Sequence, residues 1–62
     1  MKLQDWIIAE NLTQTAAAKR LRVSQATINY LVKGRRFPSL RLMQRITVIS
    51  DGAVTLEDFV SD

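Results

Sequence analysis

Cysteine and histidine are both missing from the 62 residues of the chain. Without them there is no disulfide, no thiolate or imidazole ligand for a transition metal, and no histidine to act as a general base. Glu57 and Asp58 are adjacent carboxylates, but a role in helix capping explains them better than acid catalysis does. The composition therefore predicts a protein that is not an enzyme and that uses no cofactor, metal or small-molecule ligand.

Long apolar runs are missing as well. The longest run, Trp6 to Ala9, has four residues, whereas a membrane-spanning helix needs roughly 20. Hydrophobic residues nevertheless make up 47% of the chain and recur periodically, which argues against disorder. We expect a soluble, intracellular, single folded domain over residues 1–62, small enough to bury only about 60% of its unfolded surface.

The middle of the chain has no acidic residue. All six acids lie at or before Glu10 or from Asp51 onward, and the net charge is +3. The cations of the intervening window are Lys19, Arg20, Arg22, Lys33, Arg35, Arg36, Arg41 and Arg45. Charge of one sign costs a folded domain some stability through self-repulsion. Such a cluster is typical of nucleic-acid binding, with a solubilising face as the alternative explanation.

Helical spacing of apolar residues covers the first third of the chain. Leu3, Trp6 and Ile7 predict a first helix over residues 2–10, with Trp6 in the core. Thr13 is placed to cap a second helix that ends near Leu21. The alanines at positions 17 and 18 give this second helix a small-residue face, so another helix can approach it closely.

A third helix is predicted directly after Ser24, which is a favoured capping residue. Val23 and Ile28 have the spacing of a hydrophobic staple, and Leu31 continues the apolar face. A lysine at position 33 and Gly34 form a typical helix end, with a cation near the last carbonyls and a residue able to adopt positive φ.

The remainder of the chain predicts two more helices. Ser39, after Pro38, is expected to cap a fourth helix. Its buried stripe is predicted to contain Leu40, Met43, Ile46 and, less regularly, Ile49. A capping-box-like Thr55 to Asp58 segment, with Val54 and Phe59 as its staple, predicts a short fifth helix. Phe37 and Phe59 are both expected in the core.

An alternative structure for residues 45–56 is a β-hairpin. Ile46, Val48, Val54 and Leu56 alternate around an Asp-Gly pair, which is a hairpin signature. The helical stripe that runs through Ile46 and the capping signal at Thr55 favour helices instead.

The outer face of the third helix carries a group of neutral side chains. Gln25 and Asn29 are able to form bidentate hydrogen bonds with adenine, and Ala26 can lie against a thymine methyl group. Tyr30 suits either packing beside the helix or contact with DNA. This surface predicts base reading in the major groove, with cations outside it holding the phosphates.

The segment Gln14 to Leu31 resembles the helix-turn-helix of phage Cro and repressor proteins. The positions that match that pattern are Gln14, Ala18, Val23, Gln25, Ile28 and Leu31. The segments 34–40 and 54–59 are also similar to the all-helical members of the family. The resemblance implies an all-α, compact five-helix domain, with the α+β Cro type and its hairpin at 45–56 as the alternative.

The resemblance also implies roles for particular side chains. Gln14 would reach a phosphate and brace Gln25, and residues 25, 26, 29 and 30 would face the bases. The side chains expected at the DNA backbone are Gln14, Arg22, Ser24, Thr27, Lys33, Arg35 and Arg36. Arg22 departs from the pattern, because this turn position is usually Gly, and a positive φ there would cost about 1 kcal/mol.

These expectations together describe a Cro-like repressor or regulator that occupies a double-stranded DNA operator in the cytoplasm of a bacterial or phage-infected cell, at the nucleoid. A homodimer is expected, formed in solution or only on DNA, because one module contacts too little DNA for tight binding. Candidates for its exposed apolar surface are Leu42, Val48, Ile49 and Val60, and Arg41 and Arg45 are candidates for its border. The alternative function is protein binding with the same fold, as in an antitoxin.

Overall fold

The structure is a computed structural model, and it describes residues 1–60. Five helices follow one another along the chain: α1 (Leu3–Ala9), α2 (Gln14–Leu21), α3 (Gln25–Val32), α4 (Leu40–Ile49) and α5 (Glu57–Val60). No strand occurs within these residues. The all-α prediction is confirmed. The longest described helix, α4, has ten residues, so none within residues 1–60 reaches the length of a membrane span.

Hydroxyl side chains cap three of the helices, as the sequence predicts. Thr13 Oγ1 accepts from the backbone N–H of Ala16 at 3.0 Å, before α2. Ser24 Oγ accepts from Thr27 N–H at 3.1 Å before α3. Ser39 Oγ accepts from Leu42 N–H, also at 3.1 Å, before α4. Each such cap stabilises its helix by about 1 kcal/mol.

The core lies between the first four helices. α2 packs against α3 and α4, and α1 packs against α3. The buried apolar side chains are Leu3, Trp6, Ile7, Ala17, Ala18, Leu21, Ile28, Leu31, Leu42, Met43, Ile46 and Val54. Trp6 is therefore a core residue, as predicted. The small side chains of Ala17 and Ala18 leave room for α3 to lie close to α2.

The hairpin alternative for residues 45–56 is wrong. α4 continues to Ile49, and the chain then turns through Asp51 and Gly52, which have φ of 55° and 80°. The alternation was misleading because Ile46 and Val54 are buried while Val48 and Leu56 are exposed. In a hairpin, Ile46 and Val48 would share one face of the first strand, and Val54 and Leu56 one face of the second.

The buried stripe of α4 differs from the prediction at two leucines. Leu40 is 77% exposed, whereas Leu42, proposed for an exposed surface, is buried. The stripe contains Leu42, Met43 and Ile46, with Ile49 half-buried. At about 100° per residue, Leu40 lies roughly 120° around the helix from Ile46, outside that stripe. Leu42 therefore leaves the set of exposed residues available for a partner.

Phe37 is not part of the core, contrary to the prediction. It lies in the loop between α3 and α4 and is 66% exposed. It lines a groove together with Val32 and Phe59. Phe37 lies outside both α3 and α4, so no helix face directs it into the core. Phe59 is half-buried against the core, so the expectation for that residue holds in part.

The predicted fifth helix forms, two residues later than the start of its capping signal. Asp58 Oδ2 accepts from Thr55 N–H at 2.8 Å and lies 3.0 Å from the amino group of Met1. These contacts, with the Thr55 N–H as the larger cause, hold the pKa of Asp58 below its usual 3.8.

Val54 is fully buried, and its N–H donates to the Oγ of buried Ser50 at 3.1 Å.

Candidate nucleic-acid interface

The segment from α2 to α3 is a helix-turn-helix with its inner side in the core. Arg22 ends α2 in the left-handed conformation, with φ 58° and ψ 42°. Val23 N–H donates to Ala18 O at 3.0 Å, which closes the turn. Ile28 is completely buried, so the inner face of α3 is anchored and its outer face is directed away from the core.

The predicted base-reading side chains lie together on that outer face. Gln25, Ala26 and Tyr30 are exposed and Asn29 is half-buried. With Gln14 from the start of α2, they line one shallow concavity. Both amide side chains lie at the surface of the domain, which is the condition that base reading requires.

Gln25 is held by Thr15, a residue that the sequence analysis did not single out. Thr15 Oγ1 donates to Gln25 Oε1 at 3.0 Å. The resemblance implied that Gln14 braces Gln25; in the structure Thr15 forms this hydrogen bond, and Gln14 lines the same concavity as Gln25. A carboxamide oxygen has two lone pairs, so Gln25 keeps one acceptor site and both of its N–H donors for a base.

Ser24 and Thr27 lie at the amino end of α3. Their hydroxyl oxygens are 2.9 Å apart, and Ser24 Oγ also accepts from the Thr27 backbone N–H. Ser24 is exposed and Thr27 is half-buried. The two hydroxyls therefore fix the start of α3, at the end of the helix where its dipole favours an anion.

Exposed cations follow directly after α3. Lys33, Arg35 and Arg36 are all exposed, and so is Arg22 in the turn before the helix. The Arg36 guanidinium lies over the ring of Tyr30, 5.2 Å from its centroid. The cations predicted for phosphate contact thus occur on both sides of α3 along the chain.

Two other cations of the basic window contact the protein itself. Arg45 is half-buried, and its guanidinium donates to Leu21 O, the last carbonyl of α2, at 2.8 Å. Arg20 lies 3.6 Å from the carboxylate of Glu10 in an exposed ion pair. Arg45 therefore has a structural contact that charge counting along the sequence does not reveal.

The fold and this surface together define an all-helical domain of the helix-turn-helix class. A protein-family model described as helix-turn-helix matches residues 3–48, which extend from α1 to the penultimate residue of α4. The chain therefore belongs to this family, in its lambda-repressor and Cro-like type, as the sequence resemblance predicted. It is a DNA-binding family of transcription regulators. Comparisons with curated proteins and with solved structures gave no match.

Proposed function

We propose that this chain is a Cro-like repressor that binds a specific double-stranded operator, with α3 in the major groove. The observation that carries the proposal is a neutral, amide-bearing face on α3 with exposed cations on either side of it in sequence. An α-helix fits the major groove, where each base pair presents a distinct set of donors and acceptors. Occupation of an operator by the domain would block transcription locally at the nucleoid, in the cytoplasm.

The proposed base contacts come from the first two turns of α3. Gln25 and Asn29, four residues apart, present amides that match the N6 and N7 atoms of adenine. Ala26 is exposed beside them and offers a methyl group to thymine. Thr15 supports Gln25 through its hydrogen bond, which lowers the number of rotamers available to that amide. A restricted amide discriminates better between base patterns than a free one does.

The proposed backbone contacts surround these residues. They come from Gln14, Arg22, Ser24, Thr27, Lys33, Arg35 and Arg36. Each cation that neutralises a phosphate steepens the salt dependence of binding by about 0.9 in a log–log plot. These contacts set the position of α3 without carrying sequence information.

A homodimer on a roughly palindromic operator is part of this proposal. The described Cα atoms extend over 24 × 21 × 21 Å, less than the roughly 34 Å between successive major grooves on one side of the duplex. Two copies side by side therefore fit two adjacent half-sites. Exposed apolar side chains available for contact between copies include Val48 and Val60, with Ile49 half-buried. Sedimentation of the protein with a one-site or two-site duplex measures the stoichiometry, and one copy on the two-site duplex would refute the dimer.

The proposed function is tested by selecting bound sequences from random duplex DNA with the wild type, Gln25→Ala and Arg35→Ala. We expect Gln25→Ala to relax preference at one base position, at a cost of about 1–3 kcal/mol for the preferred base. Arg35→Ala is expected to weaken all sequences similarly. Equal general weakening by both variants would refute the assigned roles, and no enrichment with the wild type would refute operator binding.

A groove on the domain favours protein binding as the second candidate function. It has a volume of about 330 Å³ and lies between the ends of α1, α3 and α5. Its lining includes the apolar side chains Leu3, Val32, Phe37, Phe59 and Val60. An antitoxin-like module would use such a groove for a partner protein. If the wild-type domain is folded but enriches no sequence from random duplex DNA, protein binding is favoured over operator binding.

A further inference from the structure

Tyr30 and Arg36 form a contact that joins the outer face of α3 to the loop that follows it. Tyr30 is 40% exposed, and the Arg36 guanidinium lies 5.2 Å from the centre of its ring. The two residues are six apart, which is not the spacing of neighbours on a helix surface. The contact therefore depends on how the chain leaves α3.

The backbone at the end of α3 brings Arg36 back to Tyr30. Gly34 has a φ of 71°, and its N–H donates to Leu31 O at 3.2 Å. Arg35 N–H donates to Tyr30 O at 2.9 Å. This pair of hydrogen bonds is the Schellman motif, which reverses the chain across the last turn of a helix. The backbone thus directs the next residue, Arg36, toward the ring of Tyr30.

The contact with the ring restricts where the Arg36 guanidinium lies. An exposed arginine loses much rotamer freedom when it binds a phosphate, and one already held over a ring has lost part of it. The N–H groups of a guanidinium lie at its edge, where they match two phosphate oxygens. The ring of Tyr30, in turn, is covered on the side that the guanidinium occupies.

We infer that Tyr30 is a positioning residue, which holds the Arg36 guanidinium for a DNA phosphate at the margin of the α3 surface instead of reading a base. The inference rests on the proposed function, since it names how one of the proposed phosphate contacts is prepared. It assigns base reading to Gln25, Ala26 and Asn29, with Tyr30 acting through Arg36.

A double-mutant cycle on a duplex selected by the wild type tests this role. The variants are Tyr30→Leu, Tyr30→Phe, Arg36→Ala and the double variant Tyr30→Leu/Arg36→Ala. Arg36→Ala is expected to lower the log–log salt slope by about 0.9. Tyr30→Leu is expected to weaken binding about two- to fivefold, the usual strength of an exposed cation–π contact, and to have no effect when Arg36 is already alanine. Tyr30→Phe keeps the ring and is expected to bind like the wild type.

Lys33→Ala is the matched control, because Lys33 belongs to the same exposed group of cations. Tyr30→Leu is expected to weaken binding by the same factor in the Lys33→Ala background as in the wild type. A Tyr30→Leu effect that persists without Arg36, or a Tyr30→Phe loss as large as that of Tyr30→Leu, would overturn the inference, since either result means that Tyr30 touches DNA itself.

The NMR shifts of the Arg36 side chain in the free protein separate this inference from the proposed function. Ring-current shifts that persist in Tyr30→Phe and vanish in Tyr30→Leu would support the contact without any DNA. If these shifts are present but the wild type binds no duplex, the proposed function fails while the contact stands. If the shifts are absent from the wild type, the positioning role is overturned even when DNA binds.

Discussion

Three residues other than glycine have a left-handed backbone conformation within residues 1–60. They are Asn11, Arg22 and Asp51, with φ of 55°, 58° and 55°. Asn and Asp tolerate this conformation because their short polar side chains bond locally, whereas Arg has no such compensation. Arg22 therefore holds the turn of the helix-turn-helix at a conformational cost that a glycine would avoid.

Arg22→Gly is expected to stabilise the domain by up to about 1 kcal/mol, because glycine adopts this φ freely, although a more flexible unfolded chain offsets part of the gain. Urea denaturation measures the free energy of unfolding. The control is Lys19→Gly, one turn earlier within α2, which is expected to destabilise by about 1 kcal/mol. Destabilisation by Arg22→Gly would show that the side chain compensates for its backbone.

Thr15→Val tests the hydrogen bond that holds Gln25. Valine keeps the shape of threonine but cannot donate to Gln25 Oε1. We expect preference to relax at the base position that Gln25→Ala affects, by a smaller factor, since the amide remains but samples more rotamers. Thr15→Ser keeps the hydroxyl and is the control. Selection from random duplexes measures the effect, and unchanged preference in Thr15→Val would contradict the bracing role.

The helices are stabilised at their ends by contacts of two kinds, local and long-range. The Thr13, Ser24 and Ser39 caps bond to backbone N–H groups three residues later in the chain. Arg45 on α4 instead donates to Leu21 O at the end of α2, across 24 residues. This second contact fixes α4 against the carboxyl end of the helix that precedes the turn.

Arg45→Met is expected to lower the free energy of unfolding by about 1.5–3 kcal/mol, because it removes the charged, partly buried hydrogen bond to Leu21 O. Arg41→Met is the matched control. Arg41 is exposed on the same helix, and its substitution is expected to change stability by about 0.5 kcal/mol or less. Equal effects of the two substitutions in urea denaturation would contradict the structural role of Arg45.

The pH dependence of stability tests the cap of α5. The pKa of Asp58 is lowered in the folded protein, so its contribution is present above the unfolded value near 3.8 and is lost as the pH falls through the lower folded value. Asp58→Asn is expected to lower the melting temperature at pH 7. Below about pH 4, the melting temperature of this variant is expected to fall less steeply with pH than that of the wild type. Glu57→Gln, in the same turn, keeps the Thr55 contact and serves as the control. If the melting temperature of Asp58→Asn falls with acid as steeply as that of the wild type, the capping role of Asp58 is contradicted.

The helix starts were predictable from the sequence because their caps are local. Ser24 and Ser39 stand next to the apolar residues whose helices they begin, so a few neighbouring letters contain the signal. The misplaced residues depend on distant packing. Leu40 has the correct three-residue spacing to Met43 but lies outside the stripe that faces the other helices. Ile46 and Val54 are buried by separate elements, which the alternation along the sequence could not reveal.

The exposed face of the candidate interface was predictable from the sequence, but the contacts within it were not. Gln25, Ala26 and Asn29 share an exposed surface because the anchors of α3 alone determine which face is outward. The contacts of Thr15 with Gln25 and of Arg36 with Tyr30 depend on how two helices and a loop meet in space. No spacing rule along the chain indicates such contacts, so sequence reasoning missed both.

The whole molecule separates a core from the surface for which we propose base reading. The first four helices share one apolar core, and that core holds α3 with Ile28 inside and the amide side chains outside. The acid-free middle of the chain contributes exposed cations to the loop after α3. The core residues and the proposed recognition residues are therefore largely different, and a surface substitution on α3 is expected to change DNA binding without unfolding the domain.

The most direct measurement is a titration of ¹⁵N-labelled protein with a duplex that it selects, followed by NMR. We expect the largest shift changes at the side-chain amides of Gln25 and Asn29 and at backbone amides of residues 14–36. Changes that instead centre on the exposed face of α4, around Leu40 and Val48, with the Gln25 and Asn29 amides unmoved, would contradict base reading by α3.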